Sequence, residues 1–183
     1  MTNNSGILTF NRKRLENVYL KPLRQTFDCL HYCIKRDSDL IFDLFSTPDI
    51  TLISLPTGLL RIERRRKLFR KTQYYIYDHP TNCSIGTLEF LDRRSANKTC
   101  CIVTFANNST YKLEQNNSIS NIFRPKTWNQ YLFEMHDYND AFVTYSGTKT
   151  NGTITSNNLE RPSMIAVGMY IIDEKFRIIS ESD

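Results

Sequence analysis

The strongest chemical signal in the sequence is a dense run of basic residues at positions 61–71. The run reads RIERRRKLFRK. The basic residues in it that could bind a ligand are Arg64, Arg65, Arg66, Lys67, Arg70 and Lys71. Clustered guanidinium and ammonium groups attract phosphates, which occur on lipid head groups and on nucleic-acid backbones. The competing interpretation is a solvated strand end without a ligand. In the functional interpretation, these six residues form a candidate site for an anionic ligand.

The charge of the whole chain points the same way. The formal net charge is +5 at pH 7, which favours an anionic partner without identifying it. A nucleic-acid site needs exposed aromatic rings beside the basic residues. Tyr75 and Tyr77 share one face of a predicted strand, and Tyr74 and Ile76 share the other, so one of the two sets belongs to the core. Burial in the core is the usual fate of aromatic residues in strands.

No arrangement of residues indicates an enzyme, a metal site or a cofactor. The three histidines lie in separate segments, and the five cysteines lack the paired C-x2-C spacing of a zinc ribbon. Cys29, His31 and Cys33 share one face of a predicted strand, where two thiols and an imidazole lining the face is the simpler interpretation. No glycine-rich phosphate loop or hydrolase motif is found. We predict a binding protein without catalytic residues.

The cellular location is predicted from the lack of a secretion signal or membrane-spanning segment in the sequence, and from the number of cysteines. The first ten residues contain no long apolar stretch of the kind that directs secretion. The longest apolar run, Met164 to Ile172, is about half as long as a membrane-spanning helix. An odd number of cysteines without an export signal indicates reduced thiols. We therefore expect a cytoplasmic protein, in peripheral contact with a membrane if lipid is its ligand.

Twelve short segments alternate between apolar and polar residues and are bounded by Asn, Asp, Pro, Ser and Gly, which predicts antiparallel β-strands. They are Ile7–Asn11, Phe27–Lys35, Leu40–Phe45, Ile50–Leu55, Leu59–Arg65, Gln73–Tyr77, Ser84–Leu91, Thr99–Phe105, Thr110–Leu113, Tyr131–Met135, Ala141–Tyr145 and Thr153–Thr155. Twelve strands are too many for one open sheet, so we expect a closed barrel or a sandwich. The composition does not change along residues 1–183, which predicts one domain.

The basic run spans the end of one predicted strand. In an alternating strand Arg64 and Arg66 share the face of Ile62, whereas Arg65 lies on the other face. The whole run can face outward only if the strand ends or bulges at Arg65–Arg66. The expected external cluster is Arg64, Arg66, Lys67, Arg70 and Lys71.

Three hairpins resemble one another at a period near fifty residues. Each follows a lead-in of an apolar residue, a basic residue and a threonine, and each has a turn rich in Asp, Asn or Ser. Their first strands begin at about residues 27, 73 and 128. The pattern predicts a fold assembled from repeated hairpin units.

The C-terminal segment departs from the alternating pattern and has two interpretations. Met164 to Ile172 is apolar on every side, so as a helix it must be buried on every side. Gly168 and the polar tail 177–183 predict that such a helix ends early. The alternative is a strand pair, Ala166–Ile172 and Phe176–Ser180, because periodicity does not separate a short buried helix from buried strands.

Three segments carry a resemblance to a known family: KLFRKTQYYIYD at 67–78, Ile85-Gly86-Thr87-Leu88, and the apolar segment from Ser163 to Phe176. The chain resembles the tubby-like superfamily, in its LURP-one-related and scramblase-like branch. The resemblance implies a closed barrel of about twelve antiparallel strands around a buried C-terminal apolar helix. Some tubby domains bind phosphoinositides, so the resemblance also implies lipid binding and favours lipid over nucleic acid as the ligand. No calcium-binding acidic cluster of scramblase type is evident.

Three functional hypotheses follow. The first is a non-enzymatic, membrane-peripheral module that uses the basic cluster to bind anionic phospholipid head groups. The second is a lipocalin-like carrier, which requires a barrel interior left open for a small apolar ligand. The third is a nucleic-acid-binding barrel, which requires Tyr75 and Tyr77 exposed beside the basic residues. The sequence identifies no protein partner or oligomeric state.

Overall fold

A computed structural model describes residues 6–67, 70–91, 99–115, 131–137, 140–148, 150–157, 159 and 161–180. Within these ranges the chain forms one closed barrel of twelve antiparallel strands around a C-terminal helix. Each strand pairs with its neighbours in sequence, and the first pairs with the last to close the barrel. The predicted fold class is confirmed.

The strands are β1 (Gly6–Leu20), β2 (Gln25–Arg36), β3 (Asp39–Ser46), β4 (Ile50–Leu55), β5 (Gly58–Lys67), β6 (Arg70–Asp78), β7 (Cys83–Phe90), β8 (Thr99–Phe105), β9 (Thr110–Gln115), β10 (Tyr131–Asp137), β11 (Asp140–Gly147) and β12 (Asn151–Ser156). A short 3-10 turn, Lys21–Leu23, joins β1 to β2. The predicted bounds of β4 and β8 match those of the structure, and most other strands differ by a few residues at their ends.

The largest difference is in β1, which was predicted to end at Asn11 and continues to Leu20. Beyond Asn11 the apolar residues Leu15, Val18 and Leu20 do not alternate regularly, because a bulge lies between Leu15 and Val18, so the spacing did not indicate a strand. This part of β1 pairs with β2 and not with β12, whose register with β1 ends at Asn11. From Leu15 onward it is a two-stranded ribbon, in which Leu20 of β1 and Cys29 of β2 are buried.

The helix α1 (Pro162–Ser180) lies inside the barrel. Every residue from Met164 to Glu174 is buried, as expected for a segment that is apolar on all sides. Side chains of β2, β6 and β11 all hydrogen-bond to it, and these strands lie on different sides of the barrel. The helical interpretation is confirmed, and the alternative strand pair is wrong.

The expectation that the helix ends early is also wrong. Asp173, Glu174 and Lys175 do not stop it, because each of these polar side chains has a partner on the barrel wall. Arg177 continues the helix and bonds to the carbonyl oxygens of Thr47 and Pro48.

Gly168 allows the helix to approach β11 closely. A Cβ atom built at Gly168 would collide with the hydroxyl oxygen of Tyr145 and would lie 3.1 Å from the terminal methyl group of Met135. Tyr145 is fully buried and donates a hydrogen bond from its hydroxyl to the carbonyl oxygen of Ile165. The glycine is therefore required by packing between helix and wall, and it does not end the helix.

The occupied interior does not support the lipocalin-like carrier hypothesis. Such a carrier needs its barrel open to a ligand, and here the inward-facing side chains of the strands and the helix form one continuous apolar core.

The two ends of the barrel are distinguished by their turns. One end carries the β1–β2, β3–β4, β5–β6 and β11–β12 turns, and we call it the hairpin-arm end. The opposite end carries the β2–β3, β4–β5, β6–β7, β8–β9 and β10–β11 turns, and we call it the helix-entry end, because α1 begins there after β12. The C-terminal turns of α1 therefore lie near the hairpin-arm end.

Candidate functional site at the hairpin-arm end

The basic run lies on the hairpin of β5 and β6 at the hairpin-arm end. The two strands stay in register from Leu60 to Arg65, and the pairing then shifts before Lys67 pairs with Arg70. The bulge predicted at Arg65–Arg66 is therefore present, although β5 continues through it to Lys67. A bulge reorients the side chains that follow it, and here it allows Arg66 to face solvent.

Arg64 does not belong to the external cluster, and its predicted placement is wrong. Its side chain is 7% exposed and points into the barrel, where its Nε atom lies 3.1 Å from the carboxylate of Glu174. The reason is the alternation of β5: Arg64 precedes the bulge and keeps the inward face of Ile62. The expectation of an outward Arg64 failed because no buried carboxylate was foreseen inside the barrel.

Arg65 and Arg66 are on the outside, each with a side chain that is 52% exposed. Arg65 lies 2.8 Å from the carboxylate of Glu63 and donates a hydrogen bond to the hydroxyl of Tyr77. Arg66 lies 3.8 Å from the exposed carboxylate of Asp49. Exposed ion pairs of this kind contribute little to stability, so both guanidiniums are able to exchange these contacts for an external anion.

Three further predicted site residues flank the tip of the hairpin. Lys67 ends β5, and Arg70 and Lys71 begin β6. The backbone thus brings Lys67 opposite Arg70, within two residues of the exposed Arg65 and Arg66. The positions of these three side chains lie outside the described part of the structure.

Charge is separated between the two ends of the barrel. At the strand ends and turns of the hairpin-arm end the described basic residues are Lys21, Arg24, Arg65, Arg66, Lys67, Arg70 and Lys71, and the described acidic residues are Asp49, Glu89 and Glu114. At the strand ends and turns of the helix-entry end the described acidic residues are Asp37, Asp39, Asp78, Asp137 and Asp140, and the described basic residues are Lys35, Arg36, Lys112 and Arg161. Among the described residues, one end of the barrel is therefore clearly basic and the other is slightly acidic.

Just inside the hairpin-arm end, the carboxylate of Asp173 on the helix interacts with residues of the β1–β2 hairpin. Asp173 accepts hydrogen bonds from the hydroxyl groups of Tyr32 and Ser46. The guanidinium of Arg12 lies 3.8 Å from the same carboxylate. Arg12 and Tyr32 are opposite one another on β1 and β2. Burial, with Asp173 as the next cause, raises the pKa of Tyr32, so this tyrosine stays protonated and donates.

The next residue of the helix is held in the same way by the third hairpin. Glu174 accepts a hydrogen bond of 2.9 Å from the hydroxyl of Tyr74 and pairs with Arg64. Arg64 and Tyr74 are opposite one another on β5 and β6, as Arg12 and Tyr32 are on β1 and β2. Burial raises the pKa of Glu174 above its ordinary value of 4.5, and the guanidiniums of Arg177 and Arg64 oppose this rise.

The third consecutive residue, Lys175, meets the β9–β10 hairpin. Its ammonium group donates a hydrogen bond of 2.6 Å to Gln115 and lies 5.3 Å from the ring centroid of Phe133. Gln115 and Phe133 are again opposite one another in register. Asp173, Glu174 and Lys175 are consecutive in the helix, and each contacts two residues that lie opposite one another on a hairpin of the barrel wall. Each of the three uses a different hairpin.

These three hairpins are spaced four strands apart, which is one third of a twelve-stranded barrel. Successive residues of an α-helix are about 100° apart around its axis, close to that third of a turn. Gln115 lies 51 residues after Arg64, and Arg64 lies 52 residues after Arg12. The period near fifty residues is therefore a period of four strands, and it produces three similar contacts around the helix.

The tyrosines beside the basic cluster divide as alternation predicts. Tyr74 and Ile76 are buried in the core, and Tyr75 and Tyr77 are partly exposed on the outer wall. The guanidinium of Arg65 lies 4.9 Å from the ring centroid of Tyr75, and that of Arg61 lies 4.8 Å from that of Tyr77. The outer face of β6 thus carries two aromatic rings, each in contact with an arginine of the neighbouring strand β5.

His31 contacts two residues of the neighbouring strand β3. The Nε2 atom of His31 lies 2.7 Å from the carboxylate of Asp43 on the next strand, and its ring stacks on Phe45. Asp43 was missed in the sequence because the partner of a strand residue depends on the register with the next strand. No group of three or more His, Cys, Asp or Glu side chains within the described residues has the geometry to hold a metal ion.

None of the described helices has the length and apolar character needed to cross a membrane. Comparison with known proteins adds no relative: no family model, no curated protein and no solved structure matches this chain. The resemblance to the tubby-like superfamily therefore stays a prediction, and the function has to be argued from the basic end of the barrel.

Proposed function

We propose that the protein is a non-enzymatic, membrane-peripheral module that binds anionic phospholipid head groups with the hairpin-arm end of its barrel. The observation that carries the proposal is the separation of charge, since among the described residues one end is clearly basic and the other is slightly acidic. A barrel with such a charge distribution orients its basic end towards a negative surface before contact.

The magnitude of the attraction is sufficient for reversible binding. Each Lys or Arg close to an anionic membrane surface contributes about 1 kcal/mol. Arg65 and Arg66, with Lys67, Arg70 and Lys71 on the same hairpin, therefore provide several kcal/mol before any specific contact to a head group. This estimate excludes Arg64, which the buried Glu174 holds inside the barrel.

Anionic vesicles should pellet the protein, and neutral vesicles should not. We expect binding to weaken as salt is raised from low ionic strength to well above physiological, because salt screens exposed charges. The variant Arg65→Glu/Arg66→Glu should lose most of this binding, with a thermal midpoint within a few degrees of the wild type because both residues are exposed.

The matched control reverses two adjacent basic residues at the opposite end. Lys35 and Arg36 are both exposed at the helix-entry end, so Lys35→Glu/Arg36→Glu changes the net charge by the same amount. This control should pellet with anionic vesicles almost as well as the wild type. Equal loss in both variants would mean that only net charge matters, and unaltered binding of Arg65→Glu/Arg66→Glu would exclude the proposed site.

A second candidate ligand is single-stranded nucleic acid, favoured by the outward placement of Tyr75 and Tyr77. Aromatic rings beside arginines provide stacking surfaces for bases, at about 1–3 kcal/mol per base. The rings are already in contact with Arg61 and Arg65, so a base has to displace a guanidinium or stack on it. This competition makes lipid the preferred proposal.

The two ligands are distinguished by replacing the rings. If nucleic acid is the ligand, Tyr75→Ala/Tyr77→Ala should weaken the binding of a fluorescent oligothymidylate by about tenfold or more, as measured by anisotropy. If lipid is the ligand, the same variant should retain its pelleting with anionic vesicles. Wild-type protein that does not bind the oligonucleotide at low salt would exclude the second candidate.

A further inference from the structure

The β1–β2 hairpin extends further than the other hairpins described at the same end of the barrel. Beyond Arg12, which faces the helix, β1 continues for eight residues to Leu20, whereas β5 continues for three residues beyond Arg64 to Lys67. Within the described residues, 15–20 and 25–29 pair only with one another, whereas Arg14 faces Leu30, which also pairs with β3. We call residues 15–29 the hairpin arm.

The tip of the hairpin arm combines exposed cations with an exposed aromatic ring. Lys21 and Arg24 flank the turn, and both are exposed. Tyr19 lies next to them in β1 and is 61% exposed. Three large hydrophobic residues are this exposed in the described part of the chain, Ile7, Tyr19 and Leu40, and Tyr19 is the one at the basic end.

This composition suits the boundary between lipid head groups and acyl chains. Tyrosine is enriched at that boundary because its ring is apolar and its hydroxyl group needs water. Lysine and arginine beside it reach the phosphates while their aliphatic stems lie along apolar surface. Glu16 and Asp28, the acidic residues of the arm, lie away from the turn, so the tip itself is cationic.

We propose that the hairpin arm is a second membrane contact, in which Tyr19 inserts at the interface of an anionic bilayer while Lys21 and Arg24 bind head-group phosphates. This inference rests on the proposed function, because the arm would dock on the same surface as the β5–β6 hairpin. The partner is the bilayer surface, since a soluble head group offers no apolar layer for the ring.

A tryptophan probe at the tip tests the insertion. The chain has a single tryptophan, so Tyr19→Trp combined with Trp128→Phe reports on position 19 alone. With anionic vesicles that contain lipids brominated on the acyl chains, we expect the emission of this probe to shift to the blue and to be quenched several-fold. Leu40→Trp in the same background is the control, because Leu40 is 53% exposed at the opposite end of the barrel.

The outcomes separate this inference from the proposed function. If the protein pellets with vesicles but the probe at position 19 is no more quenched than the probe at position 40, the hairpin arm does not insert. If the wild type does not pellet at all, the proposed function itself fails. A second test leaves Trp128 in place and measures vesicle pelleting of Lys21→Glu/Arg24→Glu. This variant should pellet less than the control Lys35→Glu/Arg36→Glu. Equal pelleting of the two variants would also overturn the inference.

Discussion

Met169→Asp should prevent folding of the barrel. Met169 lies in the middle of the central helix and is 1% exposed, so the new carboxylate would be enclosed by apolar side chains. An uncompensated buried charge costs about 3–5 kcal/mol, a large part of the total stability of about 5–15 kcal/mol that is typical of proteins. Position 169 is also four residues before Asp173, so the two carboxylates would lie on the same side of the helix and repel each other.

Circular dichroism and a thermal melt measure this effect, with two controls. Met169→Leu keeps the apolar volume and should cost less than about 1.5 kcal/mol. Leu40→Asp introduces the same charge at an exposed position and should leave the melting temperature close to that of the wild type. A folded Met169→Asp protein with an unchanged melting temperature would mean that the helix does not fill the barrel.

The sequence predicted the strands well because alternation is a local property. β4 and β8 were obtained with the bounds of the structure, since each is a short run of alternating residues between turn residues. The far half of β1 was missed because the bulge between Leu15 and Val18 breaks the period of two on which the prediction of strands depends. The C-terminal helix was one of two interpretations, beside a strand pair, and it is the correct one. A nine-residue apolar run does not by itself distinguish between them.

The internal repeat was detected as a period but not as a set of contacts. Its visible marks were the lead-ins to three hairpins, β2–β3, β6–β7 and β10–β11. The third lead-in, at 123–127, lies outside the described residues. Arg12 and Arg64, one period apart, were the signal for the contacts with the helix. This signal was hard to see for two reasons. The residues opposite them, Tyr32, Tyr74 and Phe133, are unevenly spaced, 42 and 59 residues apart, and the third unit has Gln115 and Phe133 in place of arginine and tyrosine.

The misplacement of Arg64 has a physical explanation that the sequence alone does not provide. A guanidinium is rarely buried unless it is paired, so an arginine in a basic run is expected in water. Its partner, Glu174, is distant in sequence and lies on a helix whose path through the barrel was still an open alternative. Once the helix is placed, the alternation of β5 requires Arg64 to point at the helix, and the buried carboxylate becomes its counterion.

Arg64→Met should destabilise the protein by up to about 3–5 kcal/mol, whereas Arg66→Met should change the stability by less than about 0.5 kcal/mol. The two arginines are two residues apart on one strand, with side chains 7% and 52% exposed, which makes them a matched pair. Removal of Arg64 leaves the carboxylate of Glu174 with the hydroxyl of Tyr74 and the guanidinium of Arg177. Denaturant unfolding of the two variants measures the difference, and equal stabilities would place Arg64 outside the barrel.

The cost of Arg64→Met should also depend on pH, because Glu174 titrates. Burial raises the pKa of Glu174 in the folded protein above its ordinary value of 4.5, and the loss of Arg64 removes one of the cations that oppose the rise. The folded state then binds more protons than the unfolded state at pH values above 4.5, so stability falls as pH increases through that window. Arg64→Met should therefore be less destabilising at pH 5 than at pH 8.

A second substitution shows whether Glu174 is the cause. In Arg64→Met/Glu174→Gln the buried site has neither the arginine nor its carboxylate, and replacing both partners of a buried ion pair is often close to neutral. We therefore expect this double variant to recover much of the stability lost in Arg64→Met and to lose its extra dependence on pH. Because Arg64 is buried, folded Arg64→Met should also bind anionic vesicles with the salt dependence of the wild type, and weaker binding at equal stability would return Arg64 to the ligand site.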